Sequence, residues 1–291
     1  MSWRTVVVSG SAKLDFQLGC LVVRKDTTTK IHLSEISVLL VESTAVSITV
    51  SLMAELMKHK IKVIFCDEKR NPSSELIGYY GSHDTSSKIR QQILWKKQMK
   101  DAVWTEIVTE KMRQQMYLLS EQGKEEESEL IASYIRNVAF RDETNREGHA
   151  AKVYFNALFG MDFTRTMDNT INAALNYGYS IFLSAFNREI TANGYLTQIG
   201  IFHDNMFNPF NMASDLMEPF RILVDRQVLC MQPEQFGHEE KMRLVDILND
   251  EVVIDGHRSY VNNAIKIYCK SIFDAINSED ISEIRFYSNE L

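Results

Sequence analysis

The chain has 291 residues, 45% hydrophobic and 24% charged, an ordinary globular composition and long enough for two domains. A net charge of −7 argues against a protein that coats nucleic acid by charge alone. The acidity lies beyond Thr85: residues 1–85 carry 10 Lys and Arg against 9 Asp and Glu, the remainder 22 against 30. Cys20, Cys66, Cys230 and Cys269 are scattered, with no Cys-x-x-Cys, and read as reduced core residues of a cytoplasmic protein rather than disulfides or a zinc site. No secretory signal is read in the opening segment, where only Val6-Val7-Val8 follows Arg4. Ile36 to Leu56 is interrupted by Glu42 and Glu55 and reads as buried elements, not a membrane span.

In chain order, residues 3–42 have strand grammar. Leu14, Phe16 and Leu18 alternate with Lys13, Asp15 and Gln17, and Gly10, Gly19 and Asp26–Thr29 supply breaks. Strands are expected at Trp3–Val8, Cys20–Arg24, Lys30–Leu33, Ile36–Val41 and Ile61–Cys66, with one helix over Val46–His59. The expectation is a small, mostly antiparallel, β-sandwich-like domain over residues 1–70. Turn-rich Asn71-Pro-Ser-Ser74 and Gly78-Tyr-Tyr-Gly81 mark a linker over 71–85.

From Ser86 the period is near 3.6, with Trp104, Ile107, Val108, Met112, Met116 and Leu119 on one face. Residues 86–291 are therefore expected to be an all-α catalytic domain, completing a two-domain α+β protein. Helices are expected at Lys124–Asn137, Asn145–Phe159, Asp168–Asn193, Ala213–Met231, Glu239–Asn249 and Tyr260–Ile276. Lys88, Gln92, Lys96 and Lys100 form an i+4 stripe that reads mainly as a solvated face.

Two segments carry chemistry. In His203…Asp215-Leu-Met-Glu218-Pro-Phe-Arg221 the charged residues recur every third position, so one helix would align them. Carboxylate plus imidazole is a donor set for a divalent cation. Acids at a helix start and an N-cap at Ser214 or Asp215 are the ordinary alternative. In Thr144-Asn-Arg146-Glu147-Gly148-His149-Ala150-Ala151-Lys152, Thr144-x-x-Glu147 spells a capping box. Gly148 is costly inside a helix unless something approaches its backbone. His149 competes with His203, which has the better loop context.

Arg146-Glu147-Gly148-x-Ala150-Ala151-x-x-Tyr154, Asn172-x-x-Leu175-Asn176-Tyr177-Gly178-Tyr179, Gly200-x-x-His203 and Asp215-Leu-Met-Glu218-Pro-Phe-Arg221-x-x-Val224-Asp225 occur in that order. Together they resemble the CRISPR-associated adaptation integrase, a metal-dependent DNA endonuclease. The length and the opening Ser2-Trp-Arg-Thr-Val-Val-Val8 resemble its type II branch. The resemblance covers the whole chain. It implies an N-terminal β domain that mediates a homodimer, a helical catalytic domain, and Mg2+ or Mn2+ held by Glu147, His203 and Glu218. Many members carry Asp at the Glu218 position. It also implies double-stranded DNA as substrate, both prespacer and CRISPR repeat. The implied partners are a small second adaptation protein in a heterohexamer and, in type II systems, a ring-shaped accessory protein and the effector nuclease.

For that chemistry, Arg221 is the candidate to counter charge on the pentavalent phosphate. Asp215 would orient a metal-binding group, and Arg146 and Lys152 would contact the DNA backbone. Two rivals are a helical carboxylate–histidine redox protein, which wants a Glu-x-x-His pair on two helices, and a non-catalytic interaction module.

Overall fold

In the N-terminal part, period-two patterning produces strands whose apolar side turns inward. The computed structural model describes residues 4–78 and 82–288. In β2 (Ala12–Gln17), Ala12 and Leu14 are buried while Lys13 is exposed. Leu18 and Gly19, both at positive φ, turn β2 back onto β3 (Cys20–Arg24), the geometry a two-residue hairpin needs. With β4 (Thr28–His32) and β6 (Val46–Ile48) these form one four-stranded sheet, in the order β4-β3-β2-β6. A second sheet runs β1 (Arg4–Val8), β5 (Ile36–Val41), β7 (Lys62–Cys66), β8 (Pro72–Leu76). The segment expected as one helix over Val46–His59 divides. Its β-branched start pairs with β2, and the Thr49 hydroxyl accepts from Leu52 N (3.3 Å) to cap α1 (Val50–Lys58).

The sheets are mixed rather than mostly antiparallel. Among the described residues β1–β5, β5–β7 and β2–β6 are parallel. The reason lies in β5, which is buried at every position. Leu39 and Val41 face a core shared with Leu14, Leu21, Leu52 and Leu56. Val38 and Leu40, with Ile64 and Cys66, join the core of the helical part. Strands covered on both sides are typically parallel and continuously apolar.

The helical part contains α2 (Thr85–Leu94), α3 (Lys97–Glu121), α4 (Glu125–Arg136), α5 (Arg146–Phe159), α6 (Thr170–Ala192), α7 (Asn211–Leu216), α8 (Arg221–Met231), α9 (His238–Asp246) and α10 (Val261–Ser278). It is mostly, not wholly, helical: β9 (Glu251–Ile254), β10 (His257–Tyr260) and β11 (Tyr287–Ser288) form a small antiparallel sheet. Asp255-Gly256, both at positive φ, make the β9–β10 turn, and Asp-Gly is a hairpin signal that the helical reading passed over. A Cβ on Gly178 would lie 2.4 Å from Val224 Cγ1, so this glycine lets α6 and α8 approach closely.

Of the expected linker, Pro72–Leu76 is strand β8; Tyr79, Tyr80 and Gly81 lie outside the described residues, as do Ser2 and Trp3. Cys66 and Cys269 are buried, but Cys230 is exposed and is no core residue. No helix among the described residues is long and apolar enough to cross a membrane.

Candidate active site

The helix expected over Ala213–Met231 is broken. α7 ends at Leu216, a single tight turn spans Glu218–Phe220 with Pro219 inside it, and α8 begins at Arg221. Proline has no N–H to continue the helical ladder. Asp215, Glu218 and Arg221 therefore belong to three successive elements. Ser214 and Asp215 are not N-caps, because α7 starts at Asn211.

Asp215 is fully buried and gathers the loop before it. Its carboxylate accepts from Ile201 N (2.7 Å), Phe202 N (2.9 Å), His203 N (3.1 Å) and His203 Nδ1 (2.5 Å). A Cβ on Gly200 would stand 2.4 Å from the His203 carbonyl oxygen and 2.7 Å from Asp215 Oδ2; only glycine fits there. A carboxylate can only accept, so Nδ1 carries the proton and Nε2 keeps the lone pair of the neutral ring. The Asp215 hydrogen bond raises the His203 pKa, against the effect of burial. Phe202 stacks on Trp104 at 4.3 Å, and both rings meet His203 edge-on at 5.6 Å. Gln92 pins the approach to this loop, donating to the carbonyls of Leu196 and Ile199 and accepting from Leu196 N, each at 2.9 Å. Gln92 is buried, and α2 ends before Lys96, so the Lys88–Lys100 stripe is not one continuous face.

Glu147 lies in the first turn of α5, but the capping box does not form. Asp142 supplies the cap instead, its carboxylate accepting from Arg146 N (2.7 Å) and Glu147 N (3.0 Å). What approaches Gly148 is the Asn145 side chain, 2.6 Å from a built Cβ, and not another element. Relieved of capping, the Glu147 carboxylate accepts from the ammonium of Lys111 on α3. The same ammonium donates to Glu218 Oε2 at 2.5 Å. Glu218 Oε1 accepts from Arg221 Nε at 3.0 Å, and the Arg221 guanidinium lies 4.7 Å over the Tyr179 ring.

Burial alone would push the Glu218 carboxyl up. Arg221 and Lys111 outweigh it and hold the pKa at about 2. Burial likewise works against charge on Lys111 and Arg221, yet the facing carboxylates keep both above their ordinary values. Beneath them Asp225 accepts from the hydroxyls of Tyr154 (3.1 Å) and Tyr179. Burial pushes its carboxyl to about 6 despite those bonds. Asp225 thus anchors the ring on which Arg221 rests.

Glu147, Glu218 and Arg221 meet in one cluster around Lys111, and His203 is close enough to feel the charge of Glu218. Arg146 and Lys152 do not join it: the Arg146 guanidinium lies 5.7 Å over Tyr134, and Lys152 is exposed. His149 is exposed beside Tyr134. Among the described residues no three His, Cys, Asp or Glu side chains stand as a ready-made metal cage. Between Glu147 and Glu218 the cation is the Lys111 ammonium. Lys111 went unread in the sequence, although a signal exists. It falls seven residues after Trp104 and four after Ile107, on the face where α3 turns inward.

The model of the family described as CRISPR associated protein Cas1 matches residues 5–241. The CRISPR-associated endonuclease Cas1 of Neisseria meningitidis serogroup C (strain 8013) is 33% identical over 230 residues, 79% of this chain and 76% of that protein. Among solved structures, a Cas6-RT-Cas1–Cas2 complex matches with a TM-score of 0.76 at 18% identity, over 99% of this chain but 36% of that longer one. A casposase bound to integration product matches with a TM-score of 0.73 at 18% identity, over 97% of this chain and 92% of its own. At such identities the structural likenesses speak for the fold.

Proposed function

The chain belongs to the Cas1 family of CRISPR-associated proteins, and from that premise we propose that it is a divalent-metal-dependent DNA endonuclease and integrase that inserts spacer DNA into a CRISPR array. The observation that carries this reading is the meeting of Glu147 and Glu218, from elements far apart in the chain, on one cation. The His203 ring, held by Asp215, lies near enough to Glu218 to feel its charge. The casposase relative, solved with an integration product, shares the fold. A DNA 3′-hydroxyl in place of water as nucleophile turns a nicking site into a joining one.

The donor set fits Mg2+ or Mn2+. Two carboxylates already share a cation, and an imidazole offers Nε2 because its other nitrogen is tied to a buried carboxylate. Glu147, Glu218 and His203 would hold the ion, and one imidazole among carboxylates suits Mn2+ especially. Bound there, the ion would supply the charge that polarises a phosphoryl oxygen and eases deprotonation of the attacking hydroxyl. Asp215 keeps the His203 loop and tautomer in order. Arg221, always charged and backed by Tyr179, counters negative charge that grows on the phosphate in the transesterification. We assign it the partners of the family: a second copy of the chain, DNA, and a small second adaptation protein, as in the Cas1–Cas2 assembly of the solved relative. A ring-shaped accessory protein and an effector nuclease complete a type II system.

The test is integration of a short duplex into a supercoiled plasmid with Mn2+, comparing wild type with Glu147→Gln. Because Asp142 rather than Glu147 caps α5, the variant keeps its helix start and loses only one arm of the Lys111 ion pair, so it should fold with a lowered melting temperature yet neither integrate nor nick. Wild-type integration by Glu147→Gln overturns the reading.

A further inference from the structure

We propose that Lys111 is a displaceable internal cation that makes metal uptake by Glu147 and Glu218 depend on a DNA phosphate. The proposal rests on the reading of these two carboxylates as metal ligands.

The argument begins with charge. Lys111 and Arg221 face Glu147 and Glu218, two positive groups against two negative ones, so these four side chains neutralise one another. The side chains of Lys111 and Glu218 are 11% and 9% exposed. A divalent ion arriving alone would add two charges beside an ammonium with little water to screen them. A phosphodiester arriving with it brings the compensating anion.

Attachment distinguishes the two cations. Arg221 is held by Glu218 Oε1 and by the face of Tyr179, so neither of its contacts involves Glu218 Oε2. Among the described residues the Lys111 ammonium is hydrogen-bonded to Glu147 and Glu218 alone, the two carboxylates read as metal ligands. Its flexible four-carbon stem lets the ammonium withdraw while staying tethered to α3. A withdrawn ammonium needs an anion within reach, and the phosphate entering the site is one. Lys111 thus opposes the binding of metal alone and becomes a phosphate contact once metal and DNA are both bound.

The experiment titrates Mn2+ alone into wild type and into Lys111→Gln, each with and without a short duplex whose 3′ ends lack hydroxyls, followed by calorimetry. The two metal-free proteins and their Mn2+ mixtures are also melted. Wild type should bind Mn2+ at least about tenfold more tightly with DNA than without, within the usual range of coupling between sites. Lys111→Gln should bind Mn2+ more tightly than wild type without DNA and lose most of the gain from DNA. Its metal-free melting temperature should fall, and Mn2+ should restore it, because the ion replaces the missing charge. A lysine that is merely structural gives a weakened protein that Mn2+ does not rescue, and that result overturns the proposal. So does equal DNA-free affinity in the two proteins. If Lys111→Gln does not fold, Lys111→Arg decides: with the charge kept, its DNA-free affinity should not exceed that of wild type, and tighter binding overturns the proposal. Mn2+ binding that survives Glu147→Gln combined with Glu218→Gln instead refutes the site reading, and the proposal falls with it.

Discussion

Replacing Asp215 by Asn separates the ordering of His203 from the charge of the metal-binding cluster. The carboxylate accepts four hydrogen bonds in a fully buried position, two of them from His203 itself. Asn keeps the shape but has one accepting oxygen. Oriented to preserve the bonds from Ile201 N and Phe202 N, it turns its amide N–H2 toward His203 N–H and Nδ1. A buried donor left without a partner costs about 1–3 kcal/mol. The larger consequence is tautomeric. Nδ1 can only accept from the amide, so the proton moves to Nε2, and the nitrogen that would bind metal loses its lone pair. Loss of such a supporting group typically weakens metal binding by about 10–100-fold.

The pH dependence gives a second signature. The Asp215 hydrogen bond raises the His203 pKa, so its contribution to stability is fully present below the unfolded value and is lost as pH rises through the folded one. The stability gap between wild type and Asp215→Asn should therefore narrow as the buffer is taken from acid to alkaline. Mn2+ titration at pH 7.5, thermal melts across pH and ring-nitrogen NMR of His203 read these effects. If Asp215→Asn binds Mn2+ within about threefold of wild type and its ring keeps the proton on Nδ1, the reasoning about Asp215 is wrong.

Two further substitutions address the neighbouring charges. Arg221→Ala should slow strand transfer by about 100-fold while DNA affinity changes far less, and Arg221→Lys should recover part of the rate; single-turnover integration beside a binding titration at matched salt decides it. Normal turnover of the bound complex with collapsed affinity would make Arg221 a DNA anchor instead. Asp225, buried with a pKa of about 6, is stable as the neutral acid, so its contribution is fully present below the unfolded carboxyl pKa and is lost as pH rises through about 6. Asp225→Asn removes that loss of about 3 kcal/mol while its amide can still serve both tyrosines, so the variant should gain stability relative to wild type between pH 4 and 7; a pH-independent difference in melting temperature refutes the assignment.

Residue types and local periods carry much of this protein in one dimension. The alternation at Leu14–Gln17 marks a strand, and the 3.6 period from Trp104 marks α3. The four ordered motifs name the family, and they contain Glu147, His203, Glu218 and Arg221. What they do not contain is how those residues meet. Pro219 stands in plain view, yet the threefold spacing of Asp215, Glu218 and Arg221 suggests one helical face where the chain makes three elements. The capping box at Thr144 is a sound local rule that Asp142 pre-empts. β5 pairs in parallel with strands that are distant in sequence, and parallel pairing leaves no turn signature between neighbours. Lys111 is the clearest case. It lies 36 residues from Glu147 and 107 from Glu218, and spacing rules register only neighbours within a turn or two. A buried ammonium is tolerable only when opposite charges face it, and here helix packing alone brings them there.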